Sequence, residues 1–144
     1  MNALGTHLLV ELRECNAKIL DDVKKTKESL TMAAKKAGAT ILSAHFHEFL
    51  PHGVTGVVVI AESHLSIHTW PEYGYAAVDI FTCGETLQPT VAATYLIEKF
   101  QSKNPTVMEV KRGTLSWKNE ALPHKPEKGG VFCDDQVEEL QMVS

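Results

Sequence analysis

Hydrophobic and polar positions alternate along much of this chain with the period of two that is typical of strands. Residues 54–61 are rich in β-branched side chains, and Pro51-His52-Gly53 and Pro71-Glu72-Tyr73-Gly74 punctuate the alternating segments with turn signals. The pattern predicts six strands, at 6–12, 39–50, 54–61, 65–70, 76–83 and 107–110. Because the connections between the middle strands are short, we expect an antiparallel meander.

Two segments have a helical period instead. Apolar side chains in residues 17–37 recur three or four positions apart, with Asn16 as a suitable N-cap and Gly38 as a terminating glycine. A second helix is predicted from Pro89, a favourable first residue, to a stop at Asn104-Pro105. The order β-α-β-β-β-β-α-β predicts an α+β fold, a two-layer sandwich with helices packed on one face of an antiparallel sheet.

The composition fits one globular domain, since the chain has 144 residues, of which 44% are hydrophobic and 22% charged. Eighteen acidic residues against 14 basic ones give a net charge of −4, which argues against a nucleic-acid binder. We expect no membrane span, because no apolar run reaches the required length, and no signal peptide. Three widely spaced cysteines indicate a reducing compartment, so a cytoplasmic protein is expected.

The character of the sequence changes near residue 118. From there on, prolines and glycines mark loops, and the C-terminal end is acidic through Asp134, Asp135, Glu138 and Glu139. We therefore expect residues 1–117 to form a single domain. Residues 118–144 are expected to be a surface extension, disordered in part, for which a solvated tail is the simplest interpretation.

The densest candidate chemistry lies among the histidines, five of which fall between positions 45 and 68. The period of two puts His64, Ser66, His68 and Trp70 on one face of a strand. Cys83 ends a neighbouring strand and is expected to approach His68 across the sheet. The plainest interpretation is a half-solvated sheet surface, because antiparallel sheets commonly leave one face wet.

Two functional interpretations compete with that one. His45 and His47 share a strand face, and with His64, His68 or Cys83 they would supply zinc ligands, although no pair has zinc-finger spacing. Alternatively, Ser63 and His68 would form part of a hydrolase site, although the Gly-x-Ser-x-Gly elbow and an acidic third member are missing. The residues alone leave these three interpretations open.

The longest motif runs from Glu62 to Gly84 and reads ESHLSIHTWPEYGYAAVDIFTCG. Together with Leu-Gly-x-His at 4–7, Gly-Ala-Thr at 38–40 and Arg-Gly at 112–113, it resembles the prokaryotic S-adenosylmethionine decarboxylase family. A motif of this length outweighs the three interpretations above. The resemblance implies an enzyme that decarboxylates S-adenosylmethionine to the aminopropyl donor of spermidine and other polyamines.

The resemblance further implies a proenzyme that makes its own cofactor. The chain would cleave itself between Glu62 and Ser63 into a β chain, 1–62, and an α chain that begins at residue 63. Ser63 Oγ would attack the Glu62 carbonyl carbon, and elimination and hydrolysis would then convert Ser63 to a pyruvoyl group. This group, with neither a metal ion nor pyridoxal phosphate, would form the Schiff base with the substrate amine.

Roles for two further residues come from the same resemblance. His68 would accept a proton during processing, and Cys83 would donate the proton that replaces carbon dioxide on the substrate. Thr55 stands where the family commonly has serine, a residue implicated in processing; threonine keeps the hydroxyl and adds a methyl group.

Substrate contacts are likewise implied, for Phe49, Leu65, Trp70 and Glu72. The first three offer apolar or aromatic surface for the adenine and the cationic sulfonium, and the glutamate offers a carboxylate for the ribose hydroxyls. In the family the site forms between two protomers. The expected partner, besides the small-molecule substrate, is therefore a second copy of the chain in a homodimer with shared active sites.

Two alternatives to this function remain. The first is a pyruvoyl-dependent arginine or ornithine decarboxylase on the same scaffold, against which the intact Trp70-Pro71-Glu72-Tyr73 favours a nucleoside substrate. The second is an unprocessed, non-catalytic partner subunit, against which the retained Ser63, His68 and Cys83 argue.

Overall fold

A computed structural model describes residues 3–115 of the chain. The predicted extension at 118–144, which includes Cys133 and His124, lies outside the described residues. The strands are β1 Gly5–Arg13, β2 Thr40–Glu48, β3 Val54–Ala61, β4 Ser63–Trp70, β5 Tyr75–Cys83 and β6 Asn104–Arg112. The α-helices are α1 Ala17–Leu20, α2 Val23–Lys36 and α3 Pro89–Lys99, and a 3₁₀ turn spans Pro71–Tyr73.

The strands form one antiparallel sheet in the order β2-β3-β4-β5-β1-β6. Helix α2 packs on β2 and β3, and α3 packs on β1 and β5. Both helices share one buried cluster with the strand residues that face them, among them Leu8, Ile67 and Ile80. The predicted α+β two-layer sandwich, with helices on one face of an antiparallel sheet, is confirmed.

The alternation along each strand determines which side chains meet the helices. In β5 the even-numbered residues Ala76, Val78 and Ile80 are buried in the core, whereas the odd-numbered residues lie on the other side and are half-buried. We call that other side the open face. It carries the odd-numbered residues of β1, β3 and β5 and the even-numbered residues of β4, which pair with them.

Several bounds of the predicted elements differ from the structure, and three of the differences have a clear physical reason. The helix expected at 17–37 is two helices, because Asp22 caps α2 by accepting the Lys25 N–H at 3.0 Å and so begins a new helix. The alternation expected over 39–50 is interrupted by a bulge between Ile41 and Ser43. Pro105 does not stop a helix at that point but lies within β6, where an edge strand tolerates it.

None of the helices within residues 3–115 has both the length and the apolar character needed to cross a membrane.

Candidate active site

Ser63 lies in the tight hairpin between β3 and β4. Ile60 pairs with Ser63, so only Ala61 and Glu62 stand between the paired positions, and Glu62 is exposed. The Ser63 Oγ atom is buried and has no hydrogen-bond partner among the described residues. Leaving a buried hydroxyl unpaired costs about 1–3 kcal/mol, which makes this atom unusual among the buried polar side-chain atoms of the described residues.

Cys83 is the last residue of β5 and pairs with Gly5 of β1. It is a free, half-buried cysteine. On the next strand, His64 pairs with Phe81, two residues before Cys83. Ser63 and Cys83 therefore lie at the same end of β4 and β5, which we call the serine end of the sheet.

Thr55 and His68 pair with each other across β3 and β4. Thr55 Oγ1 and His68 Nδ1 are 3.0 Å apart, within hydrogen-bond distance. We call this pair, which lies on the open face, the histidine end. It is distant from the serine end, because five residue steps along one strand span about 17 Å.

The structure therefore does not bring His68 to Ser63 or to Cys83 within one chain. Alternation also puts the Ser63 side chain on the same side as the buried Leu65, whereas His68 is on the open face. The expectation that Cys83 approaches His68 across the sheet is wrong, because the register puts Ala77, not Cys83, opposite His68. A hydrolase pair of Ser63 and His68 is not formed in one chain either.

Three of the four expected substrate contacts lie near the histidine end. Trp70 is 40% exposed and stacks on Tyr75, with the ring centroids 5.4 Å apart. Phe49 follows the last residue of β2 and meets the His47 ring edge-on at 4.6 Å. Glu72 is exposed in the 3₁₀ turn that follows β4.

Leu65 is the exception among those four residues. Its side chain is 1% exposed and belongs to the core between the sheet and the helices. The period of two that puts His64 and Ser66 on the open face necessarily turns Leu65 away from it. Leu65 therefore contributes no side-chain surface to the open face, where only its backbone is available.

A polar cluster that the sequence did not single out links three strands of the open face. Asp79 accepts a hydrogen bond from Ser66 Oγ at 3.1 Å, and its other oxygen lies 2.9 Å from His7 Nε2. On the same face, the Tyr75 hydroxyl donates a hydrogen bond to Glu11 at 2.6 Å. The pKa of Tyr75 is raised to about 12, mainly by partial burial and secondly by this hydrogen bond. Asp79 was detectable in principle, as a carboxylate in an otherwise apolar strand.

The zinc interpretation finds no ligand set in the described part of the chain. Residues 3–115 contain no group of three or more His, Cys, Asp or Glu side chains that would hold a metal ion. His45 and His47 are exposed and lie opposite Val57 and Thr55, near the histidine end.

Comparisons with known proteins agree on one family. A family model described as S-adenosylmethionine decarboxylase matches residues 6–113. A protein of Thermodesulfovibrio yellowstonii named S-adenosylmethionine decarboxylase proenzyme is 64% identical over 143 residues, which cover 99% of each chain. One of the same name from Thermosipho africanus is 51% identical over 129 residues, covering 88% of this chain and 99% of the relative.

A solved structure is similar as well. The crystal structure of the adenosylmethionine decarboxylase from Aquifex aeolicus aligns with a TM-score of 0.76 and 39% sequence identity. The alignment covers 85% of this chain and 100% of that one.

Proposed function

The chain belongs to the S-adenosylmethionine decarboxylase family, and from this membership we propose that it is a self-cleaving proenzyme whose mature form decarboxylates S-adenosylmethionine. The product is the aminopropyl donor used in polyamine biosynthesis. The observation that carries the proposal is the Ser63 Oγ atom, which is buried without a hydrogen-bond partner among the described residues and directly follows Glu62.

Self-cleavage uses atoms that the hairpin already holds together. Ser63 Oγ attacks the Glu62 carbonyl carbon, so that the acyl group moves from nitrogen to oxygen. A base then removes the Ser63 Cα proton, the Cβ–Oγ bond breaks, and Glu62 leaves as the carboxylate end of the β chain. Addition of water to residue 63 and loss of ammonia leave a pyruvoyl group at the start of the α chain.

The residues around position 63 fit such a group. The Ser63 Oγ atom, which has no hydrogen-bond partner within residues 3–115, is available for the attack, and Cys83 lies at the same end of the sheet. Such a group would supply the electron sink that the departure of carbon dioxide from the substrate requires. The Cys83 thiol is the proposed donor of the proton that takes the place of carbon dioxide on the α-carbon.

The distance between the serine end and the histidine end favours a site shared by two chains. Two open faces packed about a two-fold axis, with opposite strand ends together, would place the Glu62–Ser63 backbone of each chain beside the histidine end of its partner and create two identical sites. Within residues 3–115 the helices pack on the opposite side of the sheet, and Trp70, Met108 and Val110 expose apolar surface on the open face. The proposal therefore includes a homodimer in which Thr55 and His68 act on Ser63 of the other chain.

The expected substrate contacts fit the same arrangement. Phe49 and Trp70 offer aromatic surface to adenine and to the cationic sulfonium, and Glu72 offers a carboxylate to the ribose hydroxyls. A substrate held at residue 63 of one chain would reach these residues on its partner. Because Cys83 must stay a free thiol to donate its proton, we also propose that the enzyme works in the reducing cytoplasm.

Two measurements on the purified protein test this proposal. Intact-mass spectrometry detects cleavage, and release of labelled carbon dioxide detects decarboxylation. We expect two fragments separated after residue 62 and carbon dioxide from carboxyl-labelled S-adenosylmethionine. Ser63→Ala should stay a single chain and release none, because it lacks the nucleophile. Ser29→Ala, a change at a buried serine of α2, is the matched control and should cleave normally.

Two outcomes would contradict the proposal in different ways. A wild-type chain that remains uncut would support a non-catalytic subunit. Release of carbon dioxide from arginine or ornithine, and not from S-adenosylmethionine, would keep the processing chemistry and overturn the substrate.

A further inference from the structure

The segment between β2 and β3, residues 49–53, is anchored by a side chain from outside the sheet. Asp21, at the junction of α1 and α2, accepts a hydrogen bond from the Gly53 N–H at 3.0 Å through Oδ1. Its Oδ2 atom lies 3.6 Å from His52 Nδ1. One carboxylate thus contacts two consecutive residues of this segment, which we call the 49–53 loop.

Within the loop, Gly53, the residue that Asp21 anchors, is hydrogen-bonded to Phe49. The Phe49 N–H donates to the Gly53 carbonyl at 2.8 Å, so Gly53 joins Asp21 on one side and Phe49 on the other. Gly53 is buried with a φ of +103°, and a Cβ atom there would lie 3.0 Å from the Thr69 carbonyl oxygen. Both the positive φ and the close Thr69 carbonyl disfavour any side chain at this position, so glycine allows the backbone contacts of the loop.

The anchor itself is held firmly. The carbonyl of Leu20, the residue before Asp21, accepts a hydrogen bond from Thr69 Oγ1 at 2.9 Å. Thr69 Oγ1 in turn accepts the Val54 N–H at 2.9 Å. Thr69 is buried in β4 between His68 and Trp70. The backbone next to Asp21 is thus hydrogen-bonded to β4, the strand that carries His68 and Trp70.

We propose that Asp21 is a positioning residue for substrate binding, which fixes the 49–53 loop through the Gly53 N–H and thereby sets the orientation of Phe49. Phe49 is 46% exposed, so packing covers only part of its ring, and the hydrogen bonds of the loop hold its backbone in place. This inference rests on the proposed function, in which Phe49 contacts the substrate. A positioned aromatic ring binds without first having to be ordered.

Steady-state kinetics of Asp21 variants test the proposal. Asp21→Ala should raise the KM for S-adenosylmethionine about fivefold, in line with the loss of one ordinary hydrogen bond. It should leave kcat and self-cleavage within about twofold, since Asp21 touches neither Ser63 nor Cys83. Asp21→Asn keeps an oxygen acceptor for the Gly53 N–H and should restore KM. Because the Asp21 side chain is 39% exposed, these variants are expected to fold.

Asp22→Ala is the matched control. Asp22 is the adjacent carboxylate, but it caps α2 through the Lys25 N–H and makes no hydrogen bond to the loop among those described. Its removal should lower the melting temperature and leave KM unchanged. A purely structural role for Asp21 would instead make both alanine variants behave alike.

A double-mutant cycle asks whether Asp21 acts through Phe49. If it does, Asp21→Ala should add little to the KM of a Phe49→Ala enzyme. Additive effects, or a wild-type KM in Asp21→Ala, would overturn the inference. A wild-type enzyme that releases no carbon dioxide from S-adenosylmethionine would overturn the proposed function instead. In that case amide hydrogen exchange still tests the anchor. Faster exchange at residues 49–54 in Asp21→Ala would establish it, and unchanged exchange would refute it.

Discussion

The contact between Thr55 Oγ1 and His68 Nδ1, at 3.0 Å, leaves Nε2 as the imidazole nitrogen that Thr55 does not engage. When Nδ1–H donates to the Thr55 hydroxyl oxygen, this contact fixes the orientation of the ring and leaves Nε2 without a proton and able to accept one. The threonine supplies the same hydroxyl as the serine expected from the family resemblance. Its extra methyl group suits a strand, where β-branched residues are favourable.

Removing that hydroxyl should slow self-cleavage. Thr55→Val has nearly the same shape and a high strand propensity, but it lacks the hydrogen bond to His68, whose loss corresponds to about a tenfold lower rate. Thr55→Ser is the matched control and should cleave at least as fast as the wild type. The measurement is the rate at which full-length chain disappears by intact mass, and equal rates for the valine and serine variants would contradict the role of Thr55.

At the residue scale, the sequence predicted which side chains share a face more reliably than which side chains meet. Alternation correctly put His64, Ser66 and His68 on one side of β4, and the same alternation turns Leu65 into the core. The hydrogen bonds of Asp79 to Ser66 and His7 were not predictable, because they depend on the register of three strands. Register follows from packing and turn geometry across the sheet, which one segment does not contain.

At the scale of elements, the types were predictable and the boundaries were less so. Apolar periodicity continues through Asp21 and Asp22, so the period alone joins α1 and α2, whereas the capping side chain of Asp22 separates them. Pro105 lies in β6 because that strand is at the sheet edge, a fact that appears only once the strand order is known. The roles of Ser63, His68 and Cys83 stay predictions, since they came from the family motif and the fold brings these residues to two different ends.

The pairing of β2 with β3 depends on a glycine. Gly56 is paired with Phe46, and the Phe46 ring occupies the space that a Cβ atom at position 56 would need. This packing keeps β2, an edge strand, close to the core and so supports the strand end from which the 49–53 loop begins.

Gly56→Ala should therefore destabilise the protein. Overpacking of this kind costs about 1–3 kcal/mol, and for a chain of this size each kcal/mol lowers the melting temperature by roughly 2–4 °C. Thermal unfolding measures the loss. The double variant with Phe46→Leu should recover part of it, because the smaller side chain leaves room for the methyl group; an unchanged melting temperature in the single variant would show that β2 shifts freely.

At the scale of the whole molecule, the separation of the two ends leads to a test by mixing chains. A Ser63→Ala chain keeps an intact histidine end, and a His68→Ala chain keeps an intact serine end. If the site is shared across a dimer, co-expressing the two chains assembles one complete site in every mixed dimer. Fragments cut after residue 62 must then come from the His68→Ala chain, since the other chain lacks the nucleophile.

Random assembly of the two chains sets the expected yield of that experiment. Random assembly from equal amounts makes half of the dimers mixed, with one complete site of two, so about a quarter of wild-type carbon dioxide release should return. Co-expressing Ser63→Ala with Cys83→Ala is the matched control: both changes fall at the serine end, every site lacks one of the two, and no release should return. Recovery in neither mixture would mean that the site lies within one chain, and that the distance between Ser63 and His68 must close by a change in the fold.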